Sequence, residues 1–176
     1  ATGGRVIAMT PQQLATAVGG TLARPGDGQV LTAVFTDTRK PAPGGLFIAL
    51  VGEHHDAHGF IGAAVAGGAG ALLVSSLASL PADLPRAVAV IRVDDTLAGL
   101  TALATHVRDH HPARFIAISG SVGKTTAKDM LAAALAPFGV VGRTPGNWNN
   151  HIGVPLTLCG LTGDEAVRLL ACVRHA

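Results

Sequence analysis

Residues 119–126 read Ser-Gly-Ser-Val-Gly-Lys-Thr-Thr and directly follow the apolar run Phe115-Ile116-Ala117-Ile118. An apolar strand that breaks at glycines and resumes as Lys-Thr before an Ala- and Leu-rich segment commits this stretch to strand, tight loop and helix. The glycines let the backbone curl so that several N–H groups face one anion. The helix is expected over residues 125–136, with its N-terminal partial positive charge aimed at the same anion. In such a cradle Lys124 carries a full charge toward the β- and γ-phosphates, and the Thr125 hydroxyl is placed to ligate Mg2+. Gly120, Ser121, Val122, Gly123, Lys124, Thr125 and Thr126 are therefore the candidate residues for binding ATP or GTP, with Lys124 and Thr125 the catalytic pair. The loop is short. The usual pattern G-x-x-x-x-G-K-[ST] puts its first glycine at position 118, where Ile118 stands. The plain alternative is a glycine turn with no ligand.

The rest of the chain divides by texture. Thr10-Pro11 reads as the cap and first position of a helix over residues 12–18, closed by Gly19-Gly20. Strands are expected at 31–35, 46–50 and 71–74, with a helix at 59–66. The segment 75–85, rich in Ser and Pro, is read as a boundary. It separates a unit of residues 1–84 from one of 85–176. The second unit opens with a strand at 87–93 and a helix at 97–110, and further strands follow at 115–118 and from Val140. Residues 154–158 fit either strand or helix. The fold class is α/β: a small α/β N-terminal unit, then a P-loop-type, largely parallel doubly wound sheet. Such sheets usually have about five strands or more. The shortage here points to an incomplete second unit or one completed by another chain.

Bulk properties exclude several classes. The chain has 13 basic and 11 acidic side chains among 176 residues. That balance, with no basic cluster interleaved with aromatics, argues against nucleic-acid binding. Two cysteines without metal-ligand spacing argue against a disulfide scaffold and for the reducing cytoplasm. No signal peptide and no membrane span are expected.

Three clusters compete for chemistry. Residues 144–153 hold three Asn, two Gly and the chain's single Trp. Asn147, Asn149 and Asn150 offer amide donors and acceptors, against the alternative of an ordinary surface loop. Asp37-Thr38-Arg39 offers a guanidinium suited to phosphate, against a plain surface ion pair. The run 53–58, Glu-His-His-Asp-Ala-His, suggests a metal at first sight. No second cluster completes it, so a helix cap is the better reading. His106, His110 and His111 are read as solvated.

Taken together these motifs resemble the Mur ligases, ATP-dependent enzymes that form amide bonds in peptidoglycan precursors. The segment 120–126 is similar to that family's short P-loop. Residues 146–157, Gly-Asn-Trp-Asn-Asn-His-Ile-Gly-Val-Pro-Leu-Thr, resemble its G-N-x-N-N-x-I-G-x-P stretch. Asp37-Thr38-Arg39 with Pro43-Gly44-Gly45-Leu46-Phe47-Ile48-Ala49 resembles its D-[ST]-R-x-x-x-P-G-x-L-F-x-A signature, extended by Gly52 and residues 56–60. The resemblance implies ATP and Mg2+ at the P-loop. It implies UDP-N-acetylmuramoyl-tripeptide and D-alanyl-D-alanine as substrates, joined through an acyl phosphate. Residues 1–84 become a UDP-substrate domain and residues 85–176 the start of an ATPase domain. Thr38 and Arg39 are then expected at the nucleotide-sugar, and Asn147, Asn149 and Asn150 between ATP and the tripeptide. The family's Mg2+-binding Glu has Ala171 as its nearest equivalent, which suggests a tail that diverges after about Leu161. With the family's later domains absent, the 176 residues alone are expected to turn over little or not at all. Other readings are another ligase of the family, a UDP-sugar-binding module with a vestigial P-loop, and a P-loop kinase or GTPase.

Overall fold

Leu46, Phe47 and Ile48 are all fully buried, as are Ala71, Leu72, Leu73 and Val74. Unbroken apolar runs of this kind belong to parallel strands covered on both faces. The chain adopts that arrangement in a computed structural model that describes residues 8–52, 56–146 and 148–172. The readings made for Glu53, His54, His55 and Asn147 lie outside the described residues.

The first sheet contains β1 (Thr21–Arg24), β2 (Val34–Phe35), β3 (Leu46–Ile48), β4 (Ala71–Val74) and β5 (Ala89–Arg92) in the order β1-β5-β4-β3-β2. All pairs are parallel except β1 with β5. Alternate residues point to opposite faces. Leu46, Ile48, Leu73 and Ile91 join one core with α1 (Pro11–Ala17) and α3 (Thr96–His110). Phe47, Leu72, Val74 and Val90 join a second core with α2 (Ile61–Ala66).

Local signals explain the helix starts. Thr10 and Gln13 close a capping box on α1, with Pro11 at its first position. The Asp95 carboxylate accepts from the N–H groups of Leu97 and Ala98 and caps α3. The helix expected over 59–66 begins instead as a 3-10 turn, Ala57–Phe60, capped by Asp56.

The second sheet holds β6 (Arg114–Ser119), β7 (Val140–Arg143) and β8 (Glu165–Cys172), all parallel, in the order β6-β8-β7. Helix α4 (Lys124–Leu135) follows β6, and α5 (Gly153–Cys159) follows β7. The two-way segment 154–158 is thus helical. Within the tail after Leu161, Glu165–Cys172 forms the central strand of this sheet.

The change of sheet does not fall at residue 84. Strand β5 lies between β1 and β4, so the first sheet extends to residue 92, and α3 packs on it. The Ser/Pro-rich segment is a crossover inside this unit. The Arg24 guanidinium of β1 donates to the carbonyls of Leu84, Pro85 and Val88 and clamps it. The new sheet starts after His110. His111, expected to be solvated, is buried: Ala113 N–H donates to its Nδ1 and its Nε2 donates to Thr162 O. The two sheets share one core, because Leu158, Cys159, Leu161 and Leu170 pack with Leu100 and Leu103. Among the described residues, no helix is long and apolar enough to cross a membrane.

Candidate functional site

The glycine loop leaves β6 at Ser119 and enters α4 at Lys124. Gly120 has φ 156° and Gly123 φ 80°. The second value lies in the left-handed region that favours glycine, which accounts for Gly123 at the helix cap. No side chain caps α4. Its first-turn N–H groups therefore lack a protein acceptor by helix geometry, and they face solvent beside the helix's positive end. Val122 is 90% exposed at the loop tip. The Lys124 ammonium folds back onto Gly120 O. An anion seated in the loop would compete with that carbonyl for the same charge. Thr125 and Thr126 are exposed at the start of the helix.

Strand β8 runs beside the loop strand, pairing Ile118 with Ala171 and Ser119 with Cys172. No group of three or more His, Cys, Asp or Glu suited to a metal occurs among the described residues. Mg2+ commonly binds through one or two protein oxygens, phosphate oxygens and water. The Thr125 hydroxyl fits an ion held mainly by phosphate and water.

The Asn-rich segment begins at Thr144, where β7 ends. Thr144 is anchored to β8 by three hydrogen bonds: its N–H and hydroxyl both donate to Leu169 O, and its Oγ1 accepts from Ala171 N–H. Asn150 has a structural task. Its Oδ1 accepts from the N–H groups of Ile152 and Gly153 at 3.2 and 2.7 Å and fixes the entry to α5. Asn149 is half-buried. Trp148 is 45% exposed.

Two adjoining cavities border the edge of the first sheet. One of about 560 Å3 is lined by Asp37, Thr38, Arg39, Leu50, Gly52 and Phe60. The other, about 410 Å3, lies between the β2 edge of the first sheet and α5, and is lined by Phe35, Asp37, Lys40, Trp148, Leu156 and Cys159. Thr36 and Asp37 border both. The fold thus brings Asp37 and the Asn-rich segment's Trp148 to one cleft.

Arg39 forms a two-pronged pair with Asp37, at 2.9 and 2.8 Å, and its N–H donates to the same carboxylate. These bonds hold the Asp37 pKa down at about 2, with the Arg39 side chain the largest cause. Arg39 remains largely exposed, so its outer face is open to a ligand.

Two residues escaped the sequence reading. Lys40 lines the cleft next to the motif it follows. Lys128 stands one turn beyond Lys124 and is buried. A lysine four positions after the P-loop lysine, in an Ala-rich helix, was the available signal.

The profile of the Mur ligase middle domain matches residues 118–169. The UDP-N-acetylmuramoyl-tripeptide–D-alanyl-D-alanine ligase of Escherichia coli is 49% identical over 159 residues, which cover 90% of this chain and 33% of that enzyme. The chain belongs to the Mur ligase family. A second Mur ligase of the same name, from Bacillus subtilis, is 42% identical over 94% of this chain and 36% of its own length. The chain thus spans about a third of the curated relatives it matches. Among solved Mur ligases, MurF from Acinetobacter baumannii superposes with a TM-score of 0.83 at 32% identity, covering 95% of this chain and 36% of its own. MurF from Thermotoga maritima, solved in complex with ADP, gives 0.69 at 26% identity over 80% of this chain and 32% of its own. The profile match runs past Leu161 to residue 169, so family sequence continues into β8.

Proposed function

We propose that this chain carries the UDP-substrate unit and the phosphate loop of an ATP-dependent ligase that joins D-alanyl-D-alanine to UDP-N-acetylmuramoyl-tripeptide. The observation that carries this reading is the uncapped N-terminus of α4 behind a left-handed Gly123, in a chain with relatives of that name. ATP passes its γ-phosphoryl group to a carboxylate oxygen of the tripeptide, and ADP leaves. The amine of D-alanyl-D-alanine then attacks the acyl carbon. A C–N bond forms, phosphate departs and the nitrogen loses its proton.

Positioning and charge neutralisation dominate such phosphoryl transfer. The N–H groups of Lys124, Thr125 and Thr126 bind phosphate oxygens. Lys124 leaves Gly120 O to meet the charge of the transferred group. Thr125 would hold Mg2+, which would supply further neutralisation when bound. Arg39, with Thr38 and Lys40 beside it, receives the UDP phosphates at the first sheet's edge. Asn149 lines the path between the two, and Asn150 keeps that segment in place.

Equilibrium titrations with ATP and with UDP test this. Lys124→Ala is expected to weaken ATP binding about 10- to 100-fold, the loss of a charge-assisted contact. Arg39→Ala is expected to weaken UDP binding and leave ATP binding alone. UDP binding without any ATP binding by the unaltered chain would instead favour a UDP-sugar module with an idle loop.

A further inference from the structure

Lys128 is 5% exposed, and its ammonium donates to Thr144 O at 2.9 Å. Burying a full charge is costly, and an unbranched apolar side chain fills such a site at less expense. Stability alone therefore does not explain a lysine here. Its two ends do. The residue rides on α4 one turn behind Lys124, on the same helix face. Its partner Thr144 is the last fixed point before the Asn-rich segment, and β8 holds it by three further hydrogen bonds.

From Thr144 the path to the cleft is short. Trp148 N–H donates to Pro145 O and closes a turn. Gly153 packs so closely on that turn that a Cβ there would lie 2.7 Å from Trp148 Cα. Trp148 in turn lines the cavity shared with Asp37 and Lys40. One buried ammonium thus joins the helix that receives phosphate to the segment that borders the first-sheet cavity.

We propose that Lys128 is a positioning residue that couples occupancy of the phosphate loop to the setting of the Asn-rich segment. An anion at the N-terminus of α4 acts on the helix as a unit, and Lys128 transmits that adjustment to Thr144 and on to Trp148. Coupling of this kind is reciprocal, so a ligand in the cleft acts back on nucleotide affinity by the same factor. The inference rests on ATP binding at the loop.

Trp148 is the chain's single tryptophan and reports directly on the segment. Its emission is measured in the full chain with and without saturating ATP, and its acrylamide quenching without ligand. The chains compared are the unaltered protein, Lys128→Met and Lys128→Arg, with ATP binding followed separately by calorimetry. The expected results are an ATP-induced emission change in the unaltered chain, its loss in Lys128→Met with increased ligand-free quenching, and partial recovery in Lys128→Arg. An emission change that persists in Lys128→Met overturns the coupling, as does calorimetric ATP binding that leaves Trp148 silent in the unaltered chain. Absence of calorimetric binding defeats the ATP reading instead. The ligand-free quenching then decides the Lys128 link by itself: equal quenching in all three chains sinks it. A Lys128→Met chain that does not fold is replaced by Lys128→Gln, judged on the same readouts.

Discussion

His58 Nε2 accepts the backbone N–H of Ser75 at 3.0 Å. The same ring donates from Nδ1 to Asp56 at 2.6 Å, so the hydrogen-bond network fixes the tautomer. The histidine that at first suggested a metal ligand is a buried strut. It joins the 3-10 turn Ala57–Phe60 to the end of β4. Removing it strands the Ser75 N–H group and leaves a void. His58→Ala is expected to cost about 1–3 kcal/mol or more, read as a lower urea midpoint. Because Phe60 lines the Asp37–Arg39 cavity, UDP affinity is expected to fall with it.

The Asp37 carboxyl provides a local titration test. Its pKa in the folded chain is about 2, below the ordinary 3.8. A depressed carboxylate favours the fold above its unfolded pKa, and that contribution is lost as pH falls through about 2. Carboxyl chemical shifts followed by NMR should place the Asp37 midpoint near 2. In Arg39→Ala the midpoint is expected to climb back toward 3.8. A midpoint that stays low without the guanidinium contradicts the assigned cause.

Glu165 and Arg168 form an ion pair that is buried on both sides within the central strand of the second sheet. Gly142 on β7 makes room for it: a Cβ there would lie 2.7 Å from Arg168 Nε. Removing one partner of such a pair costs about 3–5 kcal/mol, whereas replacing both with apolar residues of similar volume is often near neutral. Arg168→Met should therefore destabilise the chain strongly, and the double variant Glu165→Leu/Arg168→Met should recover most of the loss. Chemical denaturation of the three chains reads both effects.

Burial pushes the Cys159 thiol up to about 12. At neutral pH it carries almost no thiolate, the form that reacts. In a Cys172→Ser background, labelling by an aromatic disulfide reagent should proceed only as fast as the α5 region opens. Labelling at the rate of a free thiol under native conditions would show that α5 does not seal the shared core.

The elements legible in the sequence were those with local causes. Thr10, Pro11 and Gln13 announce α1 through capping geometry, and Gly120 and Gly123 announce the turn into α4 through backbone freedom. Strand β1 escaped because its residues are alternately exposed and half-buried at a sheet edge, which leaves no apolar run. Strand β8 escaped because Glu165 and Arg168 make it look solvated, and their mutual neutralisation is visible only once both are inside. The segment 75–85 has a linker's composition, but a guanidinium sixty residues upstream ties down its end. Asn150 was legible as a polar residue in a telling segment, though not as the one that bonds inward to the backbone.

The placement of β8 has a consequence for how the phosphate loop comes into being. Strands β6 and β7 are not neighbours in the sheet; each pairs with β8, which follows both in the sequence. Arg114 must wait for Val167. During synthesis the loop strand is an apolar ribbon with an open edge long after the first sheet has its full complement. Long-range pairing of this kind is slow and exposes sticky edges while it lasts. The nucleotide cradle thus matures after the first unit, whose already folded sheet serves as the platform on which it closes.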